Sequence, residues 1–335
     1  MSFHLVVGHG PAGAATARLL AGQGHRVRVA TRTGGPAHRP AEDTRPAEDT
    51  QSTGGTGGTG GVEHLALDAA DPAALARAAR GAVAIHACAA PPLPQWAALW
   101  PALSASLCAA AEESGAVLVM LGNLYGYGPL PDPARPMTED LPLAATGPKG
   151  RVRAAAWERA RALHEAGRIR AVEVRASDFF GPGVTDGGHL ASRVMPGLLK
   201  GRPVTVLGDP DAPHSWTYLP DVARALAEVA GDERAWGRAW HVPTAPALPV
   251  RAMVERLAAE AGTAPVAVRR LPPGLLRAAG LFSPLLRELR ETRYQFDRPF
   301  VVDCTAYETA FAVRATPLEE QVAATVAWWR ERQAS

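Results

Sequence analysis

Short apolar runs alternate with longer segments rich in alanine, leucine and arginine through the first half of the chain. The short runs have strand length, and the longer segments are long enough to cross between parallel strands as helices. We expect strands at Phe3–Val7, Arg26–Ala30, Glu63–Ala66, Val83–Ala87, Val117–Leu121 and Ala171–Arg175. We expect helices at Ala12–Gly22, Pro72–Arg80, Gln95–Glu113 and Arg151–Glu165. This order predicts an α/β fold with a doubly wound parallel sheet of the Rossmann type.

After Arg175, proline and glycine punctuate shorter elements. Strands are expected at Val204–Leu207 and Trp216–Leu219, and helices at Val222–Val229, Val250–Ala261 and Pro317–Arg330. We therefore divide the chain into a Rossmann-type domain over residues 1–175 and a smaller α+β substrate domain over residues 176–335, partly interleaved with the first. Open parallel sheets bind ligands at the carboxyl ends of their strands, so this cap would lie over the cofactor and supply substrate specificity.

Residues 34–61 interrupt the alternation. A six-residue sequence occurs twice, at Arg39–Thr44 and Arg45–Thr50, and a glycine- and threonine-rich run follows. Such residues bury too little surface to offset the entropy of ordering, so a flexible insertion between the second and third strands is predicted. A neutral expansion of a surface loop is the favoured interpretation. The alternative is a mobile flap over the cofactor.

The composition is that of an ordinary globular protein. The 335 residues are 47% hydrophobic, and 35 basic and 33 acidic residues spread along the chain give a net charge of +2. No basic stripe indicates nucleic acid, and no apolar run approaches the roughly 18 residues that cross a membrane. Cys88, Cys108 and Cys304 are odd in number and have no C-x-x-C spacing, so we expect free thiols and a cytoplasmic location.

A glycine-rich loop, Gly8-His9-Gly10-Pro11-Ala12-Gly13, follows the first strand and leads directly into a helix. This strand–turn–helix setting is the one that the G-x-G-x-x-G dinucleotide fingerprint requires. The three glycines serve a tight turn, close approach to the pyrophosphate, and packing of helix against strand. The free N–H groups at the helix start favour an anion. A dinucleotide site is therefore predicted, with a purely structural glycine turn as the alternative.

The end of the second strand bears on the choice of cofactor. NAD sites usually carry an acidic residue about 20 residues after the loop, where it bonds the ribose 2′-hydroxyl. Here the strand ends Val29-Ala30-Thr31-Arg32, without an acid. Arg32 can pair with a 2′-phosphate and stack on adenine, so NADP is favoured and NAD stays the alternative. Asp68 follows the third strand, where it would meet the adenine edge or cap a helix.

Four further segments resemble known motifs. His86–Ala90 is similar to an H-x-A-A segment, and Leu124–Pro129 to a V-Y-G turn. Arg175–Gly183 has an R-x-x-x-x-x-G-P-G pattern, and Tyr218–Ala223 is similar to a V-x-D-V-A stretch. In this order they resemble the extended short-chain dehydrogenase/reductase superfamily, the NAD-dependent epimerase/dehydratase group, over nearly the whole chain. The resemblance implies a nicotinamide cofactor and an enzyme. The residues expected to contact the cofactor are Gly8, Gly10, Pro11, Ala12, Gly13, Arg32, Asp68, Ala87, Cys88, Ala89 and Lys149.

The catalytic residues of that superfamily are a serine or threonine, a tyrosine and a lysine, the last two spaced Y-x-x-x-K. The tyrosine moves the proton, and the lysine lowers its pKa and holds the ribose. Alignment on Tyr127-Gly128 places Asn123 at the serine, Lys149 at the tyrosine and Arg153 at the lysine. Arginine can bond ribose hydroxyls but cannot reproduce a tunable lysine.

We predict a non-standard catalytic set of Asn123, Tyr125, Lys149 and Arg153. Asn123 can donate to a carbonyl oxygen, or it forms a turn. Tyr125 can act as the acid, or it packs in the core. Lys149 is one of only two lysines, and a neighbouring cationic cofactor and Arg153 would depress its pKa, so that it serves as acid or base. The alternative for Lys149 is a surface position.

Four residues are predicted to contact the substrate: Asp178, Phe179, His214 and Tyr218. The resemblance places Asp178 and Phe179 against the active-site cleft, although Asp178 can instead cap a turn. His214 and Tyr218 lie in a stretch that closes over the substrate in the family. No histidine, cysteine or carboxylate cluster has metal-ligand spacing, so no metal is predicted.

Three functions stay open. The first is an NADP(H)-dependent oxidoreductase acting on a small carbonyl or alcohol. The second is an epimerase or dehydratase of the sugar-nucleotide type, against which the cap offers no basic cluster for a diphosphate. The third is a redox-silent NADP-binding sensor or scaffold, because the chain resembles the atypical branch of the superfamily, which keeps the loop and loses the catalytic set. A small-molecule substrate is expected in the first two, and a homodimer is possible.

Overall fold

The computed structural model describes residues 2–35, 61–185, 187–272, 274, 288 and 291–334. Most of the predicted insertion, residues 36–60, lies outside the described residues. The described strands are β1 (Phe3–Val7), β2 (Val27–Thr31), β3 (Val62–Ala66), β4 (Ala82–Ala87), β5 (Val117–Asn123), β6 (Arg170–Ala176), β7 (Asp178–Phe180), β8 (Val204–Val206), β9 (Pro213–His214), β10 (Trp216–Tyr218), β11 (Ala239–His241), β12 (Leu248–Pro249) and β13 (Val268–Arg270).

The described α-helices alternate with these strands in the first half of the chain. They are α1 (Pro11–Gly22), α2 (Pro72–Ala79), α3 (Trp96–Ser114), α4 (Pro148–Glu165), α5 (Met195–Leu198), α6 (Leu219–Gly231), α7 (Val250–Glu260), α8 (Tyr294–Asp297), α9 (Thr305–Phe311) and α10 (Leu318–Ala334). None of them combines the length and the apolar character that crossing a membrane demands.

Seven parallel strands form the main sheet, in the order β3-β2-β1-β4-β5-β6-β11. The chain starts in the middle of the sheet, runs to one edge and returns to build the other, so the doubly wound Rossmann prediction is confirmed. The central strands are buried on both faces, which is why they appear in the sequence as continuous apolar runs rather than alternating patterns.

Helices cover both faces of the sheet. Helices α1 and α6 pack together on one face, and α2, α3 and α4 form a layer on the other. Their buried faces are built largely from alanine and leucine, such as Ala17 and Leu20 in α1 and Leu103 and Leu107 in α3. Small alanines bring the helices close to the strands, and the leucines fill the remaining space.

The predicted strands of the first half are confirmed to within two residues at each end. Among the helices of the first half, α4 is displaced most, since it begins at Pro148 rather than Arg151. Proline at the first helical position has a suitable backbone angle and lacks only an N–H that would be unpaired there. The earlier start places Lys149 in the first turn of the helix.

The second half of the chain contributes to the main sheet and to a helix layer on one of its faces. Strand β11 joins the main sheet beside β6, and α6 packs on α1. The other short strands form two-stranded pairs, β7 with β10, β8 with β13 and β9 with β12. The domain boundary at residue 175 stays a prediction.

Candidate functional site

The glycine loop has the three backbone features that its motif predicts. Gly8 has a φ of +98°, and a Cβ there would lie 2.6 Å from Ala89 Cα, so only glycine fits this turn. A Cβ at Gly13 would overlap the carbonyl oxygen of Gly8, so helix α1 packs directly on the strand end. At Gly10, by contrast, no described heavy atom lies within 4 Å of such a Cβ, so the loop backbone faces open space there.

The first turn of α1 suits an anion. Gly10 precedes the helix, Pro11 opens it, and no acidic residue occupies this turn. The N–H groups of Ala12 and Gly13 therefore begin the helix with its positive end toward the open space at Gly10. This loop and the first turn of α1, Gly8–Gly13, form a cradle. Its positive end and its open space suit a pyrophosphate. The predicted dinucleotide residues of the loop are thus brought together in one turn.

Two of the predicted cofactor residues lie near the ends of β2 and β3. Arg32 is exposed, directly after β2, where the Thr31 side chain accepts a hydrogen bond from Gly34 N at 3.0 Å. Asp68 is also exposed and accepts from Ala70 N at 3.0 Å. The helix-cap alternative for Asp68 is wrong, because Asp71 caps α2 by accepting from the backbone N–H groups of Ala73 and Ala74.

The end of β4 and the residues that follow it pack against the glycine loop. The backbone N–H of Cys88 donates to Val7 O at 2.9 Å, and its side chain lies under Gly13. Burial raises the pKa of the Cys88 thiol to about 12, so it stays a neutral packing group. Ala89 touches Gly8, and Ala87 is buried. These three residues shape the turn.

Asn123 ends β5 and holds the turn that follows. Its side-chain oxygen accepts from Tyr125 N at 3.2 Å, and a 3-10 turn then spans Tyr125–Tyr127. The turn-forming alternative therefore accounts for the side-chain oxygen of Asn123. Its amide N–H groups are not used in that bond and keep the capacity to donate.

Tyr125 lies between the sheet and the cap. Its ring packs at 5.8 Å from the ring of Trp96, and its phenol has Gln295, Thr292 and Asp178 as neighbours. Burial and then the negative charge of Asp178 raise the pKa of Tyr125 far above its ordinary value. The phenol therefore stays protonated and can donate a hydrogen bond.

Lys149 contradicts the expected depression of its pKa. Its side chain is only 4% exposed, and its ammonium pairs with Glu288 and, at 2.9 Å, with Glu291. Burial lowers the pKa of Lys149, but hydrogen bonds and charges of the two carboxylates outweigh burial and raise it above its ordinary value. Glu291 also accepts from Lys149 N at 2.8 Å. Lys149 is thus a buried cation, and neither the acid–base nor the surface interpretation describes it.

Arg153 lies one turn further along α4 and is 5% exposed. Its guanidinium stacks on Trp100 at 4.3 Å from the ring centre and donates to Leu121 O at 2.5 Å. Glu173 lies 3.8 Å away. These contacts use the guanidinium to join α3, α4 and β5, so the ribose contact that the alignment implies stays a prediction.

A buried polar network lies beside Arg153. Arg175 donates to Glu173 Oε2 at 2.6 Å and to the Tyr127 hydroxyl at 2.7 Å. The Tyr127 hydroxyl is also 2.7 Å from His241 Nε2. This network holds in place the 3-10 turn that carries Tyr125. It could not be predicted from the sequence, because Glu173 and Arg175 occupy strand positions and their partners lie on other elements.

Two of the predicted substrate residues come together. His214 Nε2 lies 2.7 Å from Asp178 Oδ2, and His214 Nδ1 lies 3.2 Å from Gln295 O. The His214 side chain is 3% exposed and that of Asp178 18%. Asp178 begins β7, two residues beyond the end of β6, so the pair lies near the carboxyl edge of the main sheet.

The other two predicted substrate residues pack in the core. Tyr218 is buried with its ring against Gly181, and burial and the charge of Asp221 raise its pKa. Phe179 is half-buried against the same hydrophobic core. Neither makes a polar contact with the Asp178–His214 pair among the bonds that the structure describes.

His189 is a polar neighbour of the pair that was not among the predicted substrate residues. Its ring stacks on Phe296 at 4.5 Å, and within the described part of the chain its Nε2 has no hydrogen-bond partner. Burial lowers its pKa to about 4, with Asp178 opposing that shift and His214 and Arg193 adding to it. In the described ranges, no three histidine, cysteine or carboxylate side chains gather so as to hold a metal.

Comparison with known proteins places this site in a family. The sequence model described as the NAD dependent epimerase/dehydratase family matches residues 4–241. The chain belongs to this family. Membership covers the glycine loop, the main sheet and the Asp178–His214 pair, whereas Glu288, Glu291 and Gln295 lie beyond the matched residues. A search of curated proteins finds no match.

Solved structures share the fold over the whole chain. A dTDP-glucose 4,6-dehydratase from Streptomyces venezuelae with NAD bound is 21% identical, with a TM-score of 0.76, covering 100% of this chain and 98% of that one. One from Bacillus anthracis in complex with NAD is 15% identical, with a TM-score of 0.76 and the same coverage. A Thermus thermophilus UDP-glucose 4-epimerase complex with NAD is 19% identical, with a TM-score of 0.73, covering 98% and 99%. These likenesses establish the fold.

Proposed function

We propose that this family member is a nicotinamide-dinucleotide-dependent enzyme of the epimerase/dehydratase type, acting on a sugar nucleotide. Of the three functions open from the sequence, this is the second. Family membership supports it over the small-carbonyl oxidoreductase, which no finding specifically favours. The solved dehydratases and the epimerase act on dTDP-glucose and UDP-glucose, as their names state.

The observation that carries the proposal is the cradle at Gly8–Gly13. It combines a turn that only glycine fits, a helix N-terminus without an acidic residue, and open space at Gly10. Gly10, Ala12 and Gly13 would hold the pyrophosphate through backbone N–H groups and the positive end of α1. The bound dinucleotide would supply reversible hydride transfer.

The nucleotide preference follows from Arg32. The exposed guanidinium directly after β2 offers a partner for a 2′-phosphate, and the strand end carries no acid for a ribose hydroxyl. NADP(H) is therefore the favoured cofactor of the proposed enzyme, while the NAD bound to the solved relatives makes NAD the alternative.

The polar lining around Tyr125 suits a hydroxyl-rich substrate. Asn123 offers amide N–H groups, Tyr125 a phenol that stays protonated, and Asp178 a partly exposed carboxylate. Sugar rings are recognised by such mixtures of donors and acceptors beside aromatic surfaces. Asn123 and Tyr125 would donate to the oxygen of the reacting carbon, which stabilises the negative charge that develops there.

Incubation with UDP-glucose or dTDP-glucose and each dinucleotide tests this function. We expect an epimer or a product of water loss, detected by proton NMR, that forms only when NADP or NAD is present. Enzyme without dinucleotide is the control. Conversion independent of any dinucleotide would contradict the proposal.

A second function is favoured by one observation. Lys149 is tied to Glu288 and Glu291, and Arg153 to Leu121 O, so neither residue of the former Y-x-x-x-K pair is free to act. A protein that binds the nucleotide without redox chemistry fits that arrangement. Tight dinucleotide binding without hydride transfer to any sugar nucleotide would support this function and exclude the first.

A further inference from the structure

His214 has an oxygen atom opposite each ring nitrogen. Nδ1 lies 3.2 Å from Gln295 O, and because a carbonyl oxygen carries no proton, a hydrogen bond at this contact takes its proton from Nδ1. The other nitrogen, Nε2, lies 2.7 Å from Asp178 Oδ2. Two lone pairs at that distance repel each other, so a proton lies between them. When Nδ1 also carries a proton, the pair holds one proton more than a neutral ring and a carboxylate do, and that proton can be exchanged.

Aromatic rings shield His214 from water. Trp216, Phe296 and Phe300 place their rings 4.4, 5.5 and 5.5 Å from the His214 ring. Charge interactions inside such a low-dielectric pocket are stronger than in water. The titratable and charged groups that face the pair are Tyr125 from the 3-10 turn, His189 from the segment before α5, and Arg193, which acts on His189.

Asp178 links this buried proton to the cleft. Its side chain is partly exposed, whereas that of His214 is not. Strands β1, β5 and β6 are parallel members of one sheet, so the glycine loop, Asn123 and Asp178 follow strand ends at the same edge. Dinucleotides bind along this edge in doubly wound folds. The Asp178–His214 pair therefore lies at the edge of the sheet where the proposed dinucleotide would bind.

We propose that the Asp178–His214 pair is the proton donor and acceptor of the cleft, in place of the family's tyrosine. This inference rests on the proposed function. In the reducing direction, a hydride from a reduced nicotinamide dinucleotide forms the new C–H bond of a carbonyl substrate. The electron pair of the C=O π bond moves to oxygen, which takes the proton of the pair, and Asp178 and His214 together lose one positive charge. Oxidation reverses each step.

The other candidates for this role are less suited. Lys149 is engaged by two carboxylates that favour its charged form. Tyr125 keeps its proton, since burial and Asp178 both oppose its ionisation. Tyr125 can donate a hydrogen bond to the substrate oxygen, but it needs a partner to supply and accept the transferred proton.

Nitrogen-15 NMR of the histidine rings tests the pair without any substrate. In the wild-type protein at neutral pH we expect both His214 nitrogens to show the signature of hydrogen-bonded, proton-sharing atoms. In Asp178→Asn the Nε2 signal should shift to that of a neutral ring. Asp211→Asn, an exposed carboxylate paired with Arg251, is the matched control. An unchanged His214 spectrum in Asp178→Asn would overturn the proposal.

Hydride transfer gives the second readout, followed by nicotinamide absorbance in a single turnover. We expect Asp178→Asn and His214→Gln to lose about 100-fold or more in rate and to flatten the pH profile, while dinucleotide affinity stays within about twofold. Circular dichroism checks that each variant folds. If the wild type binds no dinucleotide, the proposed function fails. If it binds and turns over while both variants match its rate, only the present inference fails.

Discussion

At the scale of single residues, Lys149 shows how a buried partner reverses an expectation. Its position in the alignment predicts a lysine with a lowered pKa, because a cationic cofactor and an arginine lie nearby. Glu288 and Glu291 are 139 and 142 residues away in sequence, and they stabilise the charged form instead. No local pattern connects these positions, so the pairing could not be predicted from the sequence.

Arg32 is the residue on which the choice of dinucleotide depends. We expect Arg32→Glu to lower the preference for NADPH over NADH by about tenfold or more, because a carboxylate repels the 2′-phosphate and accepts a hydrogen bond from a ribose hydroxyl. Affinities for the two nucleotides, measured by fluorescence titration, give the ratio. Arg26→Glu is the control, because it makes the same charge change on an exposed side chain at the opposite end of β2. It should leave the ratio of the two affinities unchanged. An unaltered ratio in Arg32→Glu would refute this role.

At the scale of elements, strands β1 and β4 carry a buried histidine pair. His4 Nδ1 lies 3.0 Å from His86 Nε2, and the His25 ring lies 4.8 Å from that of His4. Burial and the neighbouring rings lower the pKa of His4 to about 4 and that of His86 to about 3. His86 belongs to the segment that the resemblance places along the cofactor, but its side chain bonds to His4 inside the fold.

This pair makes stability depend on pH in a defined direction. The unfolded chain takes up protons near pH 6.5 and the folded chain only at lower pH, so stability is complete above about 6.5 and falls as pH drops toward 4. At pH 5 each histidine should cost about 2 kcal/mol, from the 1.5 units below 6.5. Urea unfolding at pH 7 and pH 5 measures this loss, which His86→Leu should reduce by about 2 kcal/mol. An equal loss in wild type and variant would argue against the pair.

At the scale of the whole molecule, short sequence patterns predicted the features that depend only on residues close together in the chain. Strand-length apolar runs predicted the sheet, and the G-x-G-x-x-G motif predicted the turn at Gly8 and the packing at Gly13. The family pattern selected Asp178 and His214 separately. Their hydrogen bond could not be predicted, because it depends on how β7 and β9 are placed in space. Glu173 and Arg175 are two residues apart in β6 and so share a face of the strand. Their contacts with Arg153 and Tyr127 depend on other elements and could not be predicted.

Dinucleotide binding at the glycine loop is tested most directly by calorimetric titration of two matched variants. Gly10→Ala and Gly22→Ala both add a methyl group that meets no described atom within 4 Å, so both should fold. Only the methyl at residue 10 enters the space proposed for the pyrophosphate. We expect the wild type and Gly22→Ala to bind NADPH or NADH equally, and Gly10→Ala to bind about tenfold or more weakly. Equal binding by all three proteins, or none by the wild type, would contradict a nucleotide site at this loop.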